Sequence, residues 1–195
     1  MKKLFILGII ISLIIIGCWF IFIYNQGGDV DIYQEYENTE YGFKLEYPKS
    51  WRFSGLTADS SIISFKDTRG KSGEGGFPLG AKIEIIVLEN YDNLALEDWI
   101  DQSLAYSQEQ EILSEETVRG KNVQFLVKTF KPMPGPVESV GPPISAYALI
   151  NDKKHIVQIN YLGREPNYTA GMKHFKHLLL SFWAENIKIK TTTNK

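Results

Sequence analysis

Two histidines in the C-terminal third of the sequence have the clearest spacing for chemistry. His174 and His177 lie three positions apart, inside an apolar pattern that predicts a helix over residues 169–184. Residues three apart on a helix are neighbours, so both imidazoles could bind one divalent metal ion with a carboxylate from another element. The apolar stripe of this helix places His177 towards solvent and His174 on its flank, while Lys173 and Lys176 oppose a cation. The alternative interpretation is a solvated basic face.

Other chemistry has weaker support in the sequence. Nucleophilic catalysis needs Ser, Thr or Cys beside an oriented base, but there is no Gly-x-Ser-x-Gly motif and one cysteine, Cys18. The residues Gly70-Lys71-Ser72 resemble the end of a phosphate-binding loop, yet the leading glycine of that motif would fall at Phe65. We therefore expect a protein that is not an enzyme and has no cofactor beyond the candidate metal ion. A hydrolase whose carboxylates come together only in space is the weaker alternative.

A proline-rich segment over residues 131–143 is the strongest candidate for binding a partner. Long loops held by a rigid sheet commonly bind, and prolines reduce the conformational entropy lost on docking. The alternative is a neutral insertion between two strands. The candidate partner-binding residues are Pro132, Met133, Pro134, Pro136, Val137, Pro142 and Pro143.

The N-terminal residues predict a membrane segment. Residues 4–24 form an almost unbroken apolar run, and about 20 such residues in a helix span the hydrocarbon core. Lys2 and Lys3 precede the run, so the positive-inside rule leaves the N-terminus in the cytoplasm and the following domain on the extracytoplasmic face of the cytoplasmic membrane. Alternatively, the residues up to Cys18 resemble a lipobox, after which the signal is cleaved and Cys18 is lipidated. Both interpretations place the domain outside the cytoplasmic membrane.

Length and composition indicate one exported globular domain. The chain has 195 residues, of which 44% are hydrophobic and 23% are charged, enough for an anchor and one ordinary domain. Its formal net charge of −2 argues against a nucleic-acid partner. We expect an anchor over residues 1–24, a tether over 25–34, the domain over 35–185 and a polar tail over 186–195.

The domain is predicted to begin with two strands joined by a proline turn. Phe43, Leu45 and Tyr47 alternate with polar residues, as in a half-buried strand. Pro48 ends that strand because proline has no N–H to donate, and the alternation resumes at Trp51. Later segments alternate in the same way, and two segments of helical period are predicted over residues 94–107 and 169–184. We therefore expect an α+β fold in which helices pack on an antiparallel sheet.

The same stretch carries a family resemblance. An aromatic-Gly-Phe strand that is closed by Tyr-Pro and followed by Trp resembles the start of PsbP-like domains, which are named after an extrinsic protein of photosystem II. The resemblance covers about residues 35–184 and implies an α/β/α sandwich. It transfers no functional residue to this sequence, in which nothing indicates photosynthesis. The residues that carry it are Tyr41, Gly42, Phe43, Tyr47, Pro48 and Trp51.

These observations together predict a function class. We expect a membrane-anchored, extracytoplasmic, non-catalytic domain that serves as an accessory or scaffold by binding a protein partner in the cell envelope. An envelope protein that binds a metal ion or a small ligand is the alternative, and an envelope hydrolase is the third hypothesis.

Overall fold

The computed structural model describes residues 31–55, 60–67, 80–106, 110–132 and 140–185. The predicted anchor over residues 1–24 with Cys18, the Gly70-Lys71-Ser72 motif, residues 133–139 of the proline-rich segment and the tail over 186–195 lie outside these ranges. No helix within the described ranges is both long enough and apolar enough to cross a membrane. The domain described below belongs to a compact unit that begins at Tyr33.

The described residues form strands, then a helix, then strands, then a second helix, and this confirms the predicted α+β class. In chain order the elements are β1 (Tyr33–Asn38), β2 (Phe43–Pro48), β3 (Trp51–Gly55), β4 (Ile62–Asp67), β5 (Lys82–Glu89), α1 (Leu96–Tyr106), β6 (Ile112–Arg119), β7 (Gln124–Phe130), β8 (Ile144–Ile150), β9 (His155–Leu162), α2 (Asn167–Ser181) and β10 (Trp183–Ala184).

The strands form two antiparallel sheets, whereas the sequence predicted one. The large sheet has seven strands in the order β3-β4-β5-β9-β8-β7-β6, and the small sheet has three in the order β1-β2-β10. The chain changes sheets between β2 and β3, at the predicted proline turn. Pro48 ends β2 because it has no N–H for a further ladder bond, and Trp51 starts the first strand of the large sheet.

The hydrophobic core lies between one face of the large sheet and a layer made of α2 and the small sheet. Phe175 of α2 stacks on Tyr161 of β9, with ring centroids 5.2 Å apart. Tyr47 of the small sheet packs on Phe65 of β4 at 4.3 Å. The opposite face, called the outer face below, carries α1, whose Trp99 lies 6.5 Å from the ring of Tyr147. The helices therefore lie on both sides of the sheet, as the predicted sandwich requires.

Two predicted boundaries differ from the structure. The tether was expected to run to residue 34, but β1 begins at Tyr33 and pairs with β2. The last helix was expected to reach residue 184, but it ends at Ser181 and the next residues form β10. The physical reason is Asn122, whose side-chain amide donates to the carbonyl of Ala184 at 2.7 Å and accepts from its N–H at 3.0 Å. These two bonds hold the chain extended beside β2.

Candidate functional site

His174 is buried, whereas its sequence context predicted a place on the flank of the helix. Its side chain is 1% exposed, and its Nδ1 lies 3.0 Å from the hydroxyl of Tyr33 on β1. The ring also contacts Trp51 of β3 edge to face, with centroids 5.4 Å apart. The prediction differed because Tyr33 was assigned to the tether, whereas it belongs to β1 and covers this part of α2.

His177 is half-buried and contacts the same tyrosine from the other side. Its ring stacks on that of Tyr33 with centroids 3.6 Å apart and an interplanar angle of 18°. Its Nε2 lies 2.8 Å from Oε2 of Glu46 on β2, and Lys121 Nζ lies 3.6 Å from the other oxygen of that carboxylate. These contacts fasten both strands of the β1–β2 hairpin to α2. The four residues are called the histidine cluster below: Tyr33, Glu46, His174 and His177.

One ring nitrogen of each histidine is taken up by a contact within the fold. Nδ1 of His174 is within hydrogen-bond distance of Tyr33, and Nε2 of His177 is within hydrogen-bond distance of Glu46. Across the described ranges, no group of three or more His, Cys, Asp or Glu side chains is placed to hold a metal ion. Metal binding by the pair stays a prediction. Sequence spacing did not reveal the partners of the histidines because Tyr33 and Glu46 lie 141 and 131 residues away along the chain.

Glu46 gives the histidine cluster a dependence on pH. The hydrogen bond from His177 lowers the pKa of the Glu46 carboxyl below its ordinary value of 4.5, and the charge of Lys121 lowers it further. A carboxyl with a lowered pKa in the folded state stabilises that state when it is ionised. This contribution is present above the ordinary carboxyl pKa and is lost as the pH falls through the lowered folded-state value.

We expect Glu46→Gln to reduce the unfolding free energy at pH 6 by less than about 1 kcal/mol, because the carboxylate is partly exposed and therefore screened by solvent. At pH 3 the difference between the variant and the wild type should shrink towards zero. Urea titrations at the two pH values measure this, with Glu116→Gln on β6 as an exposed control. A difference that grows on acidification would contradict the assignment.

The proline-rich segment has a firmly built base. The N–H of Phe130 donates to the carbonyl of Pro143 at 2.8 Å, which continues the β7–β8 ladder to the end of the segment. The N–H of Gly141 donates to the carbonyl of Gly163 at 3.1 Å. Among the predicted partner-binding residues, Pro132, Pro142 and Pro143 are half-buried parts of this base. Met133, Pro134, Pro136 and Val137 lie outside the described residues.

Tyr168 locks the second half of that base. Its hydroxyl donates to the carbonyl of Pro142 at 2.8 Å, and its ring covers the Cα of Gly141 so closely that a Cβ there would lie 2.3 Å from the ring. Burial, with the nearby charge of Glu165, raises the pKa of Tyr168 to about 12. The phenol is therefore protonated at neutral pH and can donate. The hydroxyl of Tyr161 donates in turn to the carbonyl of Tyr168.

A cleft of about 470 Å³ opens on the outer face between α1 and the end of the sheet. Apolar side chains of α1, β7 and β8 line it together with polar side chains of β6 and β7. The sequence did not reveal it, because its walls come from four separate elements. The lining includes Leu96, Thr117, Arg119, Gln124, Leu126 and Leu149.

Comparison with known proteins identifies the fold. No family model and no curated protein matches the sequence. The solution structure of cyanobacterial PsbP from Synechocystis sp. PCC 6803 is similar over 81% of this chain and 95% of its own, with a TM-score of 0.53 and 14% identity. The Ran-binding protein Mog1p of Saccharomyces cerevisiae is similar over 78% of this chain and 95% of its own, also with a TM-score of 0.53 and 14% identity. The domain thus has the PsbP-like fold that the Tyr41–Trp51 stretch indicated.

Proposed function

We propose that this protein is a non-catalytic binding module that is held at the extracytoplasmic face of the cytoplasmic membrane by its N-terminal apolar segment. In this proposal the module recognises a protein partner in the cell envelope through the proline-rich segment over residues 131–143. The observation that carries the proposal is the rigid base of that segment, which is tied to β7 through Pro143, to Gly163 through Gly141 and to α2 through Tyr168.

A rigid base favours binding for an energetic reason. Ordering a long segment when a partner docks costs conformational entropy, and this cost subtracts directly from the affinity. Here the two ends of the segment are already fixed to the sheet. The prolines in its sequence reduce the number of backbone conformations that a partner would have to restrict. The use of both histidine imidazoles in contacts within the fold also favours recognition by a surface over chemistry at the histidine pair. One protein of this fold is described as Ran-binding, so the fold is compatible with binding another protein.

Photocrosslinking in the organism that makes the protein tests the proposal. A photoreactive amino acid at Val137 should give a discrete adduct of higher mass in the membrane fraction, because that position lies in the proposed contact. The same amino acid at the exposed Lys176 of α2 should give none, since this helix surface lies outside the proposed contact. Protease added to intact spheroplasts should remove the domain if it lies outside the membrane. Equal adducts from both positions, or a protected domain, would contradict the proposal.

A further inference from the structure

Among the strands that the structure describes, β6 is an exposed edge of the seven-stranded sheet. It is paired on one side with β7 and is the last strand in the sheet order. Seven of its eight residues are exposed, and its apolar residues Ile112 and Leu113 are 43% and 50% exposed. An edge strand carries backbone N–H and C=O groups that have no partner strand, and it therefore offers a template for a further strand.

The charges of β6 complement a second copy of the same strand. Side chains alternate along a strand, so Glu115, Thr117 and Arg119 share one face. This is the outer face, because Thr117 and Arg119 line the cleft there. Oε2 of Glu115 already accepts from Lys128 of β7 at 2.6 Å, so its other oxygen is the one that faces a second copy. If two β6 strands run antiparallel with Thr117 opposite Thr117, Glu115 of each copy lies opposite Arg119 of the other. Opposite charges and paired threonines at such positions both favour strand pairing.

The two registers shifted towards the N-terminal end of β6 place like charges opposite each other. A shift that brings Glu116 to the two-fold axis places two glutamates opposite each other and leaves no Glu–Arg pair. If Glu115 lies on the two-fold axis, the Glu115 side chains of the two copies are opposite each other. Like charges directly opposite each other disfavour strand pairing. The bulge between Ile112 and Ser114 interrupts the regular geometry at the start of the strand, so regular pairing is limited to about Glu115–Arg119.

We propose that β6 binds β6 of a second copy of this chain in an antiparallel pair, with Thr117 on the two-fold axis and two Glu115–Arg119 pairs across it. The large sheets of both copies then become continuous through a symmetric contact, as is usual in homodimers. Thr117 and Arg119 also line the cleft beside α1, so the clefts of the two copies lie next to the axis. This proposal is independent of the proline-rich segment and its partner.

Disulfide trapping in the full chain tests the register. The variant Thr117→Cys is made with Cys18→Ser, so that it carries the only thiol, and the protein is oxidised in native membranes and in detergent. Residues directly opposite each other in an antiparallel pair have Cα atoms about 4.5–5.5 Å apart, within the range of a disulfide. We expect a covalent dimer on a non-reducing gel. Lys176→Cys, an exposed position on α2, is the matched control, and an equal yield from both variants would overturn the proposal.

Charge reversal tests the pairs across the axis. Arg119→Glu or Glu115→Arg, each combined with Thr117→Cys and Cys18→Ser, should slow trapping about tenfold because like charges then face each other. Glu115→Arg also removes the ion pair with Lys128 of the same chain. Recovery in a mixture, where that pair is still absent, assigns the slowing to the charges across the axis. A mixture of the two variants should regain the rate, since each acidic residue then faces an arginine in the other copy. Lys176→Glu should have no effect. If the reversals leave the rate unchanged, or the mixture fails to regain it, these residues do not pair across the axis and the proposal is wrong.

Discussion

Phe182→Ala is expected to reduce the unfolding free energy by about 3–5 kcal/mol, as is typical when a buried phenylalanine is truncated. Phe182 is 0% exposed and connects the two sheets. Its ring stacks on Phe43 of the small sheet at 5.2 Å and meets Phe125 of the large sheet edge to face, also at 5.2 Å. The truncation leaves a cavity between the sheets and removes both ring contacts at once. Urea denaturation followed by tryptophan fluorescence measures the loss.

Leu180→Ala is the matched control for this prediction. Leu180 lies two residues before Phe182, in the last turn of α2, but it is 57% exposed. Substitutions at exposed sites usually change stability by less than about 0.5 kcal/mol, so this variant should unfold almost like the wild type. If Phe182→Ala cost no more than Leu180→Ala, the sheets would not depend on this ring and the core would have to lie elsewhere.

The sequence predicted the parts of the fold whose signals are local. Alternation in Phe43, Leu45 and Tyr47 marks β2 because a half-buried strand presents every second residue to the core. The regular alternation in β5, where every second residue is apolar, is a local signal of the same kind. The family resemblance came from the same type of signal, because the Tyr-Pro turn and the following Trp51 mark the place where the chain changes sheets.

The candidate site depends on contacts between distant residues, which leave no local signal. His174 resembled a flanking residue because the stripe of α2 alone cannot show that β1 covers it. The first two residues of β1, Tyr33 and Gln34, were assigned to the tether because they follow a polar, glycine-containing stretch. The cleft and the edge strand both depend on the order of the strands in the sheet. The mixed polar and apolar residues of β6 do not indicate whether this strand is central or at an edge.

Gly141→Ala is expected to destabilise the fold by about 1–3 kcal/mol, the usual cost of an added methyl group without space for it. The new Cβ would lie 2.3 Å from Cγ and Cδ2 of Tyr168 and 2.5 Å from Cδ1, far inside van der Waals contact. The ring cannot move aside without cost. Its hydroxyl donates to the carbonyl of Pro142, and the ring also packs against that of Tyr161, with centroids 5.1 Å apart.

A double-mutant cycle separates this clash from any general effect of removing a glycine. In a Tyr168→Ala background the ring is absent, so Gly141→Ala should cost almost nothing and could even stabilise by about 0.4–1 kcal/mol through the unfolded chain. The two substitutions should therefore be strongly non-additive, as expected for residues in direct contact. Thermal or urea unfolding of the four proteins gives the coupling energy. An additive cycle would show that Tyr168 does not press on Gly141, and the base of the proline-rich segment would then be held by its backbone hydrogen bonds alone.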